Sequence, residues 1–168
     1  MEALLSPLRY PGGKRALLPA IEARVKEHPT KLFVEPFAGG ASASFHLLAT
    51  GAVGRAIIAD ADPLVAAFWQ AATTRPAELI EAIQQELVTL ARLDYWRATE
   101  PTGTLSRAVR ALFLNRTSFS GVLHNCAPPL GGRAQAGKVK IDARWYLTTV
   151  ARRIEAVGQL AAAGRLEA

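Results

Sequence analysis

An α/β fold is predicted by three features of the first 60 residues, and the segments after them read as a mostly helical insertion. The three features are two glycine turns, Arg9-Tyr10-Pro11-Gly12-Gly13-Lys14 and Phe33-Val34-Glu35-Pro36-Phe37-Ala38-Gly39-Gly40, and a short apolar run that ends in an acid, Arg55 to Asp60. The second turn follows the apolar stretch Leu32–Val34 and opens into Ala41–Leu48, which has helical composition: strand, tight turn, helix. Glycine at such a turn admits positive φ and lets a ligand approach the backbone, while the N–H groups of the following helix point outward as donors. A carboxylate at the end of the next strand is placed to accept hydrogen bonds from ribose hydroxyls. Taken together these segments read as a cofactor pocket.

The remaining elements follow in order. Between the two turns, residues 14 to 27 place Leu17, Leu18, Ile21 and Val25 on one helical face, so Lys14 sits where a glycine turn feeds a helix. Asp62-Pro63 is a helix start, with Asp as cap and Pro in the first position, followed by Leu64, Val65, Phe68 and Trp69. Pro76 opens an amphipathic segment carrying Leu79, Ile80, Ile83, Leu87 and Leu90. Ser106 to Arg116 gives another, with Val109, Leu112 and Phe113 inward. Residues 121 to 142 form the one long stretch rich in Gly, Pro and polar residues, and loops of that length in a compact domain are usually functional. Residues 145 to 163 are helical again.

Composition bounds the function. Half of the 168 residues are apolar, which excludes a disordered class and supports one globular unit. No stretch approaches the roughly twenty apolar residues of a membrane span, and Met1-Glu2-Ala3-Leu4 lacks the features of a signal peptide, so a cytoplasmic protein is expected. The single cysteine, Cys126, has no partner for a disulfide or a metal pair, and His28, His46 and His124 lack ligand spacing, so no metal is expected.

Charge is uneven along the chain. Residues 106 to 153 hold nine basic side chains and one acid, Asp142, a net of +8, so the rest carries −2 of the total +6. Two readings fit. One is a solvated, arginine-rich surface; the other is a nucleic-acid interface in which basic residues neutralise phosphates while Asn115, Thr117, Ser118 and Asn125 offer donors to base edges.

The two turns, the acidic strand end and a third block, Phe113-Leu114-Asn115-Arg116-Thr117-Ser118-Phe119-Ser120-Gly121, together resemble the Dam-like adenine-N6 DNA methyltransferases. That family carries an aromatic-x-Gly-Gly-Lys segment, then Glu-Pro-Phe-x-Gly, an acidic strand end, and a Leu-Asn-Arg segment in its DNA-recognition region. The likeness extends over residues 7 to 154. It implies a Rossmann-like S-adenosylmethionine-dependent methyltransferase core over residues 1–72 and about 145–168, with 73–144 as an inserted target-recognition region. By the same likeness, Tyr10, Gly12, Gly13, Lys14, Glu35, Pro36, Phe37, Gly39, Gly40 and Asp60 bind S-adenosylmethionine, Glu35 either touching the cofactor or fixing the turn. Asn115, Arg116, Thr117, Ser118, Phe119, Arg133, Lys138 and Lys140 bind double-stranded DNA. Where the family commonly has a second glycine this chain has Ala41, whose methyl could crowd the backbone near the cofactor, and whether it weakens binding is left open by the sequence.

The family's catalytic tetrad, Asp-Pro-Pro-Tyr, occurs nowhere in these residues; Pro128-Pro129 has neither the preceding acid nor the following aromatic and reads as a stiff turn. No catalytic residue is therefore assigned. The expectation is an incomplete core whose first strand lacks a neighbour, with either marginal stability or a second chain supplying the rest. A silent binding module is the alternative, and a dinucleotide oxidoreductase is disfavoured because no Gly-x-Gly-x-x-Gly is present.

Overall fold

A computed structural model describes residues 6–10, 13–124 and 127–168. Gly12, Asn125 and Cys126, singled out above, lie outside the described residues. Lys14–Leu17 make a 3-10 turn that runs into α1 (Leu18–Glu27), with Pro19 in its first turn. The predicted apolar face exists, but it is only half covered: Ile21 and Val25 pack against the core while Leu17 is exposed. Strand β1 (Leu32–Glu35), helix α2 (Ser42–Thr50) and strand β2 (Arg55–Ile58) follow as expected, and the strands pair parallel from Leu32 opposite Arg55 to Glu35 opposite Ile58. Asp62 caps α3 (Pro63–Thr74), its Oδ1 accepting from Leu64 N at 2.8 Å.

The long amphipathic segment after Pro76 is two helices. Helix α4 (Pro76–Gln84) buries Leu79 and Ile83, then ends; Leu87 is 75% exposed, and Thr89 Oγ1 accepts from Arg92 N at 3.1 Å to start α5 (Leu90–Ala98). The threonine cap gives the chain a fresh helix start where the apolar spacing alone predicts continuation. Helix α6 (Thr104–Thr117) and helix α7 (Leu147–Ala162) bracket the long loop, in which Ser118 and Pro129 form an isolated antiparallel bridge. A strand not anticipated from the sequence, β3 (Leu166–Glu167), pairs parallel with β2. The sheet order is β1-β2-β3.

One core serves the whole. Helix α3, with Phe68 and Trp69 almost wholly enclosed, packs against α6 and α7, and α4 packs against the same two helices. Leu79 and Ile83 of α4, Leu93 of α5 and Leu112 of α6 belong to the same hydrophobic cluster as Phe45 of α2 and Leu166 of β3. Alternation along the strands sorts the sheet into two unlike faces. Phe33, Glu35, Ala56, Ile58 and Leu166 are covered or partly covered; on the opposite face Leu32 is exposed, Val34 is 53% exposed, and Arg55 pairs with Glu167 in solvent. Parallel sheets are normally buried on both faces. This one is half clad, and β1 is an edge strand.

Candidate functional site: the glycine turn and the basic block

The turn after β1 is built around two carboxylates. Glu35, nearly enclosed at the end of β1, accepts from Ser44 N at 3.0 Å and Ser44 Oγ at 2.6 Å through Oε2, and from Lys14 Nζ at 2.9 Å through Oε1. Lys14 also donates to Phe37 O at 2.7 Å. Glu35 therefore ties β1 to the first turn of α2 and anchors Lys14, which is the turn-fixing one of its two expected roles. Asp60, at the end of β2, accepts from Gly39 N at 2.7 Å and from Asp62 N at 2.9 Å, one bond to each oxygen. Trp69 Nε1 donates to Gly39 O at 2.9 Å from inside the core.

These bonds hold Gly39 at φ +48°, and the space above it is filled by Tyr10. A Cβ placed on Gly39 would lie 2.7 to 2.9 Å from three atoms of the Tyr10 ring. The glycine admits the tyrosine. Tyr10 itself is 41% exposed, and its phenol is pushed above its ordinary pKa by burial first and then by the charges of Asp60 and Asp62. Phe37, 71% exposed, flanks the same turn beside Pro36. Ala41 adopts a left-handed conformation, φ 51° and ψ 31°, the backbone a glycine would take without strain. Its methyl is fully buried in the hydrophobic cluster. Gly40 and Gly13 lie beside Tyr10, within 3.4 and 3.5 Å of its Cβ and its carbonyl by the same construction.

The basic block is arranged differently from the sequence expectation. Asn115, Arg116, Thr117 and Ser118 are buried, and their side chains bond within the protein, with Arg116 Nε left buried without a partner. Asn115 bonds the Arg9 backbone and Gly121 O, Arg116 donates to Pro7 O and Arg144 O, and Thr117 Oγ1 donates to Phe113 O at 2.7 Å. Ser118 Oγ accepts from Arg97 at 3.4 Å. Burial lowers the Arg116 guanidinium to about 10, with Arg153 and Arg9 adding to the fall. These four side chains, expected to touch DNA, face the interior of a helix end that packs under the N-terminal segment. Arg133 is exposed but forms a bidentate pair with Asp94 at 2.8 and 2.5 Å. Lys140 donates to Gln135 O, and Lys138 stands in solvent. Phe119, 60% exposed, projects beside Ser120, which is in the left-handed region at φ 57°.

A family model for D12 class N6 adenine-specific DNA methyltransferases matches residues 10–125, more than half of the chain. The chain belongs to that family. The match runs from Tyr10 through both turns, Asp60 and the Asn115–Phe119 block, so the segments that carry the D12 likeness are those whose geometry is described above; Arg133, Lys138 and Lys140 fall beyond it. No curated protein matches the chain.

In this D12 family member, sequence reasoning missed Trp69 and Ser44 as partners of the turn. Both are distant in sequence from the groups they bond, and each reads as an ordinary helix residue. Among the described residues no group of three or more His, Cys, Asp or Glu could hold a metal, and no helix is long and apolar enough to cross a membrane. A cleft of about 450 Å³ opens between the start of α3 and α6, lined by Asp62, Leu64, Arg107, Arg110, Leu123 and His124. His124 Nε2 lies 3.3 Å from Asp62 there.

Proposed function

We propose that the chain is the cofactor-binding and DNA-recognition part of an enzyme that methylates N6 of adenine in double-stranded DNA, with S-adenosylmethionine as donor. The observation that carries this reading is the juxtaposition of Tyr10, Gly39 and Asp60. A half-exposed aromatic ring lies beside two carboxylates at the end of a parallel strand. That donor set suits an adenosyl sulfonium: Asp60 keeps lone pairs for ribose hydroxyls, and the acidic, aromatic surroundings of Tyr10 and Phe37 favour a cation. When bound, the cofactor supplies the electrophilic methyl group. The chain's own residues hold the turn: Glu35 fixes the start of α2, Lys14 locks Phe37 O, and Gly13, Pro36 and Gly40 belong to the two turns.

Residues 73–144 serve in this reading as the recognition region inserted into a Rossmann-like core. Lys138, Lys140 and Phe119 are its outward groups, while Asn115, Arg116, Thr117 and Ser118 form its scaffold. The target adenine leaves the stack to reach the donor, because N6 is not open to in-line attack inside a duplex. Nothing in these residues matches the tetrad that aligns that nitrogen. The unpaired edge of β1 and the bare sheet face of Leu32 and Val34 favour a strand and cover supplied by a downstream segment or by a second chain, as in a split methyltransferase.

Incubation with tritiated S-adenosylmethionine and duplex DNA tests this. The 168-residue chain is expected to retain label that S-adenosylhomocysteine displaces, and to transfer none to DNA. Fusion of its natural downstream segment is expected to restore transfer. Absence of retained label would sink the cofactor reading; methyl incorporation by the short chain would sink the incomplete-site reading.

A further inference from the structure

Asn115 was expected to read DNA, yet its amide is fully enclosed. Its Oδ1 accepts from Arg9 N at 2.8 Å, and its Nδ2 donates to Arg9 O at 2.5 Å and to Gly121 O at 2.9 Å. Only one orientation of the amide satisfies all three partners, so oxygen and nitrogen are assigned by the network. The donor–acceptor edge that could grip an adenine is spent instead on both peptide groups of one residue, as a neighbouring strand would do. Gly121 makes room for this: at φ +77°, a Cβ there would fall 2.5 Å from Arg9 O.

The residue so gripped precedes Tyr10, and Tyr10 is the ring seated on Gly39. Neighbouring clamps act elsewhere, Arg116 on Pro7 O and Arg153 on Ser6 O at 3.0 Å. Among the described residues, it is Asn115 that bonds both backbone groups of Arg9, the residue that launches the tyrosine.

We propose that Asn115 is a positioning residue for the cofactor site, holding Arg9 so that Tyr10 covers the Gly39 turn. This rests on the reading of that turn as the S-adenosylmethionine site. It links the end of α6 to the cofactor through backbone geometry and not through contact with a base.

Asn115→Asp keeps the side-chain shape and the acceptor for Arg9 N but sets an oxygen against Arg9 O and Gly121 O. The test combines calorimetric titration of S-adenosylmethionine, affinity for duplex DNA, and the nuclear Overhauser contact between the Tyr10 ring and Gly39 Hα in the ligand-free chain. The expected result is loss of that contact together with an affinity for the cofactor lower by about tenfold, a typical cost of one broken buried hydrogen bond, while DNA affinity stays within about twofold. Gly121→Ala, which presses on Arg9 O from the other side, serves as the second variant should Asn115→Asp fail to fold, with the same expectation. Any outcome in which the ring contact and the cofactor affinity do not fall together overturns the proposal. So does a loss of DNA affinity with both retained, which would assign direct contact. A wild-type chain that shows the ring contact but binds no cofactor overturns the reading of the site itself, and this role with it.

Discussion

The glycine turn and the basic block spend their polar groups in opposite ways. At the turn, Glu35 and Asp60 are bonded internally, yet Asp60, Tyr10 and Phe37 keep exposed surface that faces outward. In the block, the motif residues Asn115 to Ser118 are turned wholly inward. Much of the surrounding positive charge is also committed: Arg107 donates to Pro101 O, Arg110 to Trp96 O, Arg116 to Pro7 O, and Arg133 pairs with Asp94. A guanidinium that caps a carbonyl keeps its charge but loses freedom to reach a phosphate. The net charge of the segment therefore overstates the number of phosphates it can neutralise, whereas the turn's two acids understate what the turn does.

The sharpest break of this comparison is Glu35→Ala. It strands Lys14 and the Ser44 donors, and removing one member of an enclosed pair costs about 3 kcal/mol here, the low end for such pairs because Lys14 is partly hydrated. Urea denaturation reads it; a loss below about 1 kcal/mol would mean that Glu35 is not the tie described. Gly39→Ala comes next. The added methyl strikes the Tyr10 ring and must adopt positive φ, an expected loss of about 2–3 kcal/mol in the same assay. Ala41→Gly should move stability by less than about 1 kcal/mol, since relief of left-handed strain is opposed by a lost buried methyl and a freer unfolded chain.

On the basic side, Lys138→Ala should flatten the log-affinity against log-salt slope for duplex DNA by about 0.9, one phosphate's worth. Arg133→Ala should change it less, because Asp94 already holds that charge. Equal slopes for the two variants would show that the Asp94 pair opens on DNA. Phe119→Ala is the smallest effect on the fold, within about 0.5 kcal/mol, while lowering DNA affinity. A large fall in melting temperature would place Phe119 in the core and not at an interface.

How far the sequence could reach follows from where the partners lie. The strand–turn–helix of Leu32 to Thr50, the Asp62 cap and the helices at 104–117 and 147–162 were legible because caps and apolar periods are local signals. The break after Gln84 was not, since Leu87 continues the apolar spacing and only the Thr89 cap, a weaker cue, ends it. Strand β3 escaped notice because two residues carry no alternation; its place is set by pairing with β2, more than a hundred residues away. At the site, residue types were legible and directions were not. Asn115 has the chemistry to read a base, and only its bonds to Arg9, 106 positions away in the chain, show that this capacity is used within the protein.

Calorimetric titration of the wild-type chain against Asp60→Asn decides whether Asp60, with Tyr10 on Gly39, forms the proposed S-adenosylmethionine site. The substitution keeps one acceptor for the turn and removes the charge. The wild type is expected to bind measurably and the variant to lose on the order of 1.5–3 kcal/mol, with cooperative melting retained. Unchanged affinity in a folded Asp60→Asn chain would contradict that assignment.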